Sequence, residues 1–212
     1  MKTYQPITAE IIEKLKAITG PTYVKTDRDM LLQYQTDYET NPAMFHVPDA
    51  AVSPANAQEI SEIVKLANEY DFPITVRSGG TSLADGAIPV CGGLVLCMDR
   101  LNKILELNEE GMYMTVEAGV RTVDLQNAAK KVGLMYAGDP SSADSSLIGG
   151  NLATNAGGLR AVRYGVTRDA GFDSLTLDPA RPGTWRQRIV ELSRLQEADT
   201  AGLRAFARRG GK

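Results

Sequence analysis

The sequence predicts a mixed chain of helices and strands, α/β or α+β. Three observations carry this. Apolar residues recur at helical spacing in three segments, short apolar or alternating runs of strand character lie between them, and Gly, Pro and Asn punctuate the joins. At 212 residues, 43% hydrophobic and 23% charged, the chain can form one large or two small domains with a buried core, which excludes a disordered or collagen-like protein.

The first helix starts from a Thr8 cap, carries Ile11, Ile12, Leu15 and Ile18 on one face, and stops at Gly20-Pro21. Val52-Ser53 is a short strand. Asn56-Ala57-Gln58-Glu59 then gives a capping-box-like start to a second helix, with Ile60, Ile63, Val64 and Ala67 on its apolar face. Pro73 precedes the strand Ile74-Thr75-Val76, and Leu94 to Met98 and Ile104 to Leu107 are further strand runs. Asn108-Glu109-Glu110-Gly111 turns the chain into the alternating strand Met112 to Val116. A third helix begins at Thr122, buries Leu125, Ala128, Ala129 and Val132, places Lys130 and Lys131 where they complement the helix dipole, and ends at Gly133. There is no internal repeat.

The net charge of −3, without clustered Lys and Arg, speaks against nucleic acid or an anionic membrane surface as partner. No stretch approaches the ~18 uninterrupted apolar residues of a membrane span, and the N-terminus lacks a signal-peptide core, so a cytoplasmic location is expected. Cys91 and Cys97 make neither a disulfide framework nor a Cys-x-x-Cys pair, and both are read as core residues of a protein from a reducing compartment. With His46 as its one histidine, the chain cannot supply a Ser/His/Asp relay together with a histidine metal site, and no metal ligand is assigned.

The composition shifts near residue 169. Residues 1–169 carry 15 basic and 21 acidic side chains, net −6, whereas 170–212 carry 8 basic and 5 acidic ones, net +3. Asp178 to Gly183 leads into a helical-looking stretch with Trp185, Ile189 and Leu192 on one face, and the chain finishes Arg208-Arg209-Gly210-Gly211-Lys212. The expected division is a domain over 1–169 and an Arg-rich tail over 170–212. Composition alone also allows a linker and a terminal helix there.

Two glycine-rich segments carry the chemistry. In the first, strand 74–76 runs directly into Arg77-Ser78-Gly79-Gly80-Thr81-Ser82. Its glycines can aim successive N–H groups into one concavity suited to phosphate oxygens, although a Gly-Gly pair can also be a plain tight turn. The second runs from Gly138-Asp139-Pro140-Ser141-Ser142 through Ile148-Gly149-Gly150-Asn151 to Asn155-Ala156-Gly157-Gly158. Such a run marks close approach of backbone to a ligand or to another chain segment. Neither matches Gly-x-Gly-x-x-Gly or the P-loop, and Ser141 and Ser142 lack the Gly-x-Ser-x-Gly setting of an acyl-transfer nucleophile.

Together, Pro73 to Ser82 and Ile148 to Gly158 resemble the FAD-binding domain of the vanillyl-alcohol oxidase and p-cresol methylhydroxylase (PCMH-type) superfamily, and within it the D-lactate and glycolate dehydrogenase FAD subunits. The resemblance runs from about residue 8 to Asp169 and includes Val116 to Val120 and Leu159 to Gly165. It implies an α+β fold of two α/β subdomains. It also implies that backbone around Arg77, Ser78, Gly79, Gly80, Thr81 and Ser82 holds the FAD pyrophosphate, while Pro140, Ser141, Ser142, Gly149, Gly150, Asn155, Ala156, Gly157 and Gly158 line the path of the cofactor. Members with flavin covalently attached at this loop carry a histidine after Gly-Gly. Thr81 stands there in this chain, so noncovalent FAD is expected, and His46 is not a flavin anchor.

Past Asp169 such proteins continue into strands that complete the FAD domain and a substrate domain with metal-binding histidines and a catalytic base. The tail resembles neither, so the expectation is a PCMH-type domain incomplete at its C-terminus, with a truncated or frameshifted end and no catalytic residue. The complete enzyme would oxidise a D-2-hydroxy acid and pass electrons to an electron-transfer flavoprotein or an iron–sulfur partner. Three or four amide bonds to a pyrophosphate, at about 1.5 kcal/mol each, correspond to a Kd of roughly 100 μM, so weakly held flavin is expected. An open sheet edge is expected where the missing strands belong. The alternative is a flavin-free interaction module that uses the glycine-rich loops and the tail as its surface.

Overall fold

A computed structural model of the chain describes residues 3–38 and 41–169 and, as backbone alone, 172–173, 188–191 and 193–194. Its first half follows the predicted order. Helix α1 (Ala9–Thr19) is capped by Thr8, whose hydroxyl accepts from Ile11 N. Then come β1 (Val24–Lys25), α2 (Arg28–Leu31), β2 (Ala50–Val52), α3 (Ala57–Tyr70), β3 (Ile74–Arg77) and β4 (Leu94–Cys97). The start of α3 is the expected capping box: Asn56 Oδ1 accepts from Glu59 N at 2.9 Å, and Glu59 Oε2 reaches back to accept from Ala55 N at 2.7 Å.

These strands form a sheet in the order β1-β2-β4-β3, with β2, β4 and β3 parallel and β1 antiparallel to β2. Leu94 and Leu96 face α1 and α3, packing with Ile11, Leu15, Ile60 and Ile63, while Val95 and Cys97 face Leu31 and Tyr34. The continuous apolar run of β4 is thus a strand covered on both sides. Strand β1 and helix α2 are too short to leave a periodic signal.

The second half is built on β5 (Ile104–Asn108), β6 (Tyr113–Val116), α4 (Thr122–Lys131) and β7 (Leu134–Met135). Asn108 Oδ1 accepts from Gly111 N at 2.7 Å and closes the β5–β6 turn. Met114 and Val116 pack with Leu125, Ala129, Leu134, Tyr136 and Ile148 into a second core. The halves meet at Ala118-Gly119-Val120. Gly119 N donates to Leu101 O at 2.7 Å, and a Cβ on Gly119 would overlap the Met98 carbonyl oxygen.

Four expectations change. Residues Ile148–Thr154, read as loop because of their glycines, form helix α5, followed by α6 (Ala161–Tyr164). Helix α5 forms despite Gly149 and Gly150 because it is held from outside: Ile148 N donates to Val120 O at 2.9 Å and Gly149 N to Ala118 O at 2.8 Å. Within the tail, β8 (Phe172–Asp173), β9 (Arg188–Glu191) and β10 (Ser193–Arg194) are strands, and β9 pairs antiparallel with β6. Ile189 therefore lies in a strand rather than a helix, the adjacent β-branched Ile189 and Val190 favouring extended backbone; Trp185 and Leu192 lie outside the described residues. An open sheet edge is expected where further strands belong; beside β6 the edge is occupied by β9, giving the order β5-β6-β9-β8, and β10 pairs with β7. Finally, Cys97 is buried but Cys91 is exposed, since it follows Val90 at the surface where the chain turns back toward β4. Burial pushes the Cys97 thiol up to about 11.

Candidate functional site

Strand β3 is an edge of its sheet, and after Arg77 the chain leaves the sheet as Ser78 to Ser82. Among the described residues the backbone N–H groups of these five positions have no hydrogen-bond acceptor. The loop is held by its other groups: Ser82 O accepts from Tyr38 N at 3.1 Å, and Ser82 Oγ accepts from Ala84 N at 3.1 Å. Facing it are the Ser142–Leu147 loop and helix α5. The cleft between them has a volume of about 640 Å³, within the range of sites for small molecules and cofactors. Val76, Ile88, Val90 and Leu147 give its apolar wall, Ser78 to Ser82 its donor-rich wall, and Gly149 to Asn151 its floor. Asp85 is the one charged residue among those lining it; it sits at φ 56, and its Oδ1 is sealed from solvent without a hydrogen-bond partner among the described residues.

Gly79 and Gly150 serve the meeting of the two segments, and Gly149 the packing of α5 on Ala118. A Cβ on Gly79 would overlap the Ser145 carbonyl oxygen, one on Gly150 would lie 2.9 Å from Ser78 Cβ, and one on Gly149 would lie 2.9 Å from Ala118 O. Gly80, at φ 65, is different: behind it lies the side chain of Arg77, and a Cβ there would overlap the guanidinium. Arg77 is not among the residues lining the cleft. Its Nη1 donates to Thr36 O at 2.7 Å and Ala87 O at 3.5 Å, and its Cζ lies 5.8 Å from the Tyr34 ring centroid. Burial lowers its affinity for the proton.

Of the residues singled out in the sequence, Ser78, Gly79, Gly80, Thr81, Ser82, Ser142, Gly149, Gly150 and Ala156 line this cleft. Arg77, Pro140, Ser141, Asn155, Gly157 and Gly158 lie outside its walls. Pro140 O accepts from Ala143 N in a turn, Asn155 Oδ1 accepts from Arg168 N at 2.9 Å at the end of α5, and Gly158 packs against the Asp139 carbonyl. His46 is half-buried and also outside the cleft, its N–H on Gln35 O at 2.9 Å.

A buried polar network that the motifs did not reveal sets the floor. Asn151 Nδ2 donates to Thr122 Oγ1 at 2.7 Å, and Thr122 Oγ1 and Ser146 Oγ are 2.8 Å apart. It ties the start of α4, the Ser142–Leu147 loop and α5 to one another. The signal available in the sequence was Asn151 itself, a polar residue one helical turn beyond buried Ile148. In the adjoining core Tyr136 is 1% exposed, its hydroxyl without a partner among the described residues, and burial pushes the phenol up to about 12. The hydroxyl of the neighbouring Thr167 is committed to Ala156 O at 2.6 Å.

A row of amides unengaged among the described residues, beside a largely neutral cleft, fits a ligand that carries phosphate at one place and apolar rings at others. Comparison with known proteins gives the family. Residues 48–176 match a family described as FAD binding domain. Among curated proteins, the chain is 42% identical over 163 residues to the glycolate oxidase subunit GlcD of Bacillus subtilis, covering 77% of this chain and 34% of that protein. It is 35% identical over 169 residues to a D-lactate dehydrogenase of Anaerostipes hadrus, covering 78% and 34%. It is 38% identical over 168 residues to a D-2-hydroxyglutarate dehydrogenase of Stutzerimonas stutzeri, covering 78% and 36%. The chain thus spans about a third of the length of these relatives. Among solved structures, an alkyldihydroxyacetonephosphate synthase superposes with a TM-score of 0.76 at 22% identity, over 91% of this chain and 42% of that one. Substrate-bound p-cresol methylhydroxylase superposes with a TM-score of 0.65 at 19% identity, over 92% and 46%. The chain shares the fold of these two proteins over most of its length.

Proposed function

Since the chain belongs to the FAD binding domain family, we propose that it is the flavin-holding part of a 2-hydroxy acid dehydrogenase of the glycolate and D-lactate type. The observation that carries the reading is the unbroken set of unengaged N–H groups from Ser78 to Ser82. These donate to the pyrophosphate oxygens, with the Thr81 hydroxyl beside them. Val76, Ile88, Val90 and Leu147 keep water from the apolar parts of the cofactor. FAD supplies the acceptor for the electrons of the hydroxy acid when bound. Thr81 offers no imidazole for attachment, so the flavin is held without a covalent bond. No side chain of the cleft is assigned as the base that takes the hydroxyl proton, and no turnover of glycolate or D-lactate by this chain alone is expected. In the complete enzyme, electrons leave to an electron-transfer flavoprotein or an iron–sulfur protein.

The test is size-exclusion chromatography of the purified chain premixed with FAD, recording flavin and protein absorbance together. Flavin should travel with a compact protein peak below one equivalent, decline on dilution, and pass into the supernatant when the protein is acid-precipitated. A compact peak free of flavin would contradict the reading and favour an interaction module instead.

A further inference from the structure

The cleft presents a problem of charge. A pyrophosphate brings negative charge to a wall whose described lining contains no Lys or Arg and one carboxylate, Asp85. Backbone amides supply only partial charges. Yet one full positive charge lies directly behind that wall: the Arg77 guanidinium packs so tightly under Gly80 that its Nε would be 2.9 Å from a Cβ there. Among the described residues this guanidinium forms no ion pair, its hydrogen bonds going to the neutral carbonyls of Thr36 and Ala87. Asp37 and the Cys97 thiol act on it only through longer-range fields, and the net effect of its surroundings is that of burial, which disfavours the charged form. A half-buried cation with no ion-paired carboxylate among the described residues can still act on an anion on the far side of one glycine.

We propose that the Arg77 side chain supplies the countercharge for the phosphates of the ligand through the backbone of Gly80, without touching the ligand. The proposal rests on the reading of Ser78 to Ser82 as the phosphate cradle. It gives Gly80 a second reason to be glycine: besides its positive φ, any side chain would displace the guanidinium from beneath the amides. It also separates two roles of Arg77. Tying Thr36 and Ala87 together shapes the loop for every ligand, whereas the charge matters only to ligands bearing phosphate.

The experiment compares FAD with riboflavin, which shares the ring system and lacks phosphate, by fluorescence titration of the wild type, Arg77→Met and Arg77→Lys. Arg77→Met should raise the Kd for FAD about tenfold, or ~1.4 kcal/mol, and leave that for riboflavin within about twofold. Arg77→Lys should recover most of the loss. An equal loss for both ligands, or unchanged FAD affinity, would overturn the proposal and leave the cradle standing, with Arg77 as a brace. Failure of the wild type to bind FAD would overturn the cradle itself. Should Arg77→Met not fold, the Arg77 Nε–H resonance of the wild type decides. It should move on addition of ADP and stay in place with adenosine, and no difference between the two would count against the proposal.

Discussion

Gly79 lies against the carbonyl oxygen of Ser145 so closely that a Cβ on it would overlap that oxygen. The two glycine-rich segments are thus joined backbone to backbone before any ligand enters, and this junction sets the width of the cleft between them.

Gly79→Ala should therefore destabilise the protein by about 1–3 kcal/mol, because neither backbone can retreat without disturbing β3 or the Ser142–Leu147 loop. Thermal unfolding with and without FAD measures this; the loss should appear in both. A substitution at Gly79 that spared stability and weakened only FAD binding would show that the junction is not structural.

The phosphate role is better isolated at Thr81, which lines the cleft and already carries a side chain. Thr81→Asp should weaken FAD binding tenfold or more by placing a carboxylate among the amides, while Thr81→Asn should change it little. Both should unfold within about 0.5 kcal/mol of the wild type. Equal FAD affinity in Thr81→Asp and Thr81→Asn would contradict the cradle.

Asn151→Ala should cost about 1–3 kcal/mol by leaving the buried Thr122 hydroxyl without its Asn151 donor. Thr122→Val should be costly too, and the double change should cost less than the sum of the two, since the network is already broken by either. Urea unfolding of the four proteins gives the coupling, and strict additivity would show that the three side chains do not act together.

The first half of the fold was legible because its elements are set by local rules. Thr8 and Asn56 cap, Ile11 and Leu15 or Ile60 and Ile63 repeat at helical spacing, and the apolar run at Leu94 is a strand covered on both faces. The site was legible as two glycine segments, but the reason for most of those glycines was not. The sequence left Gly149 and Gly150 open between room for a ligand and room for another chain segment, and gave Gly79 to the phosphate concavity; they make room for Ala118, Ser78 and Ser145. Helix α5 was hidden for the same reason: its glycines oppose a helix, and the groups that hold it, Ala118 and Val120, are some thirty residues away in sequence. Asp85 and the Asn151–Thr122–Ser146 network carry no motif. The β9 strand was obscured because its pairing with β6 joins residues more than seventy positions apart.

Alkaline pH should destabilise the fold in two steps. The Cys97 thiol is pushed from 9.0 up to about 11 and the Tyr136 phenol from 10.0 up to about 12, both by burial. Each favours the protonated form in the folded state, so neither contributes a pH dependence below about pH 9. Above that the unfolded chain releases these protons first, and stability falls as pH rises, by at most about 1.4 kcal/mol per pH unit for each group. Tyr136→Phe, which removes a hydroxyl without a partner among the described residues, should change stability little at pH 7 and should flatten the decline between about pH 10 and 12. An identical decline in wild type and Tyr136→Phe would show that Tyr136 is not buried in the folded protein.

The central claim, that the amides of Ser78 to Ser82 receive the phosphates of FAD, is tested most directly by hydrogen–deuterium exchange of the wild-type chain with and without FAD. Without ligand these N–H groups have no acceptor among the described residues and should exchange rapidly; with FAD, peptides covering 78–82 should be protected, and ADP should protect them too while adenosine does not. Bound FAD that leaves the exchange of this segment unchanged would contradict the account.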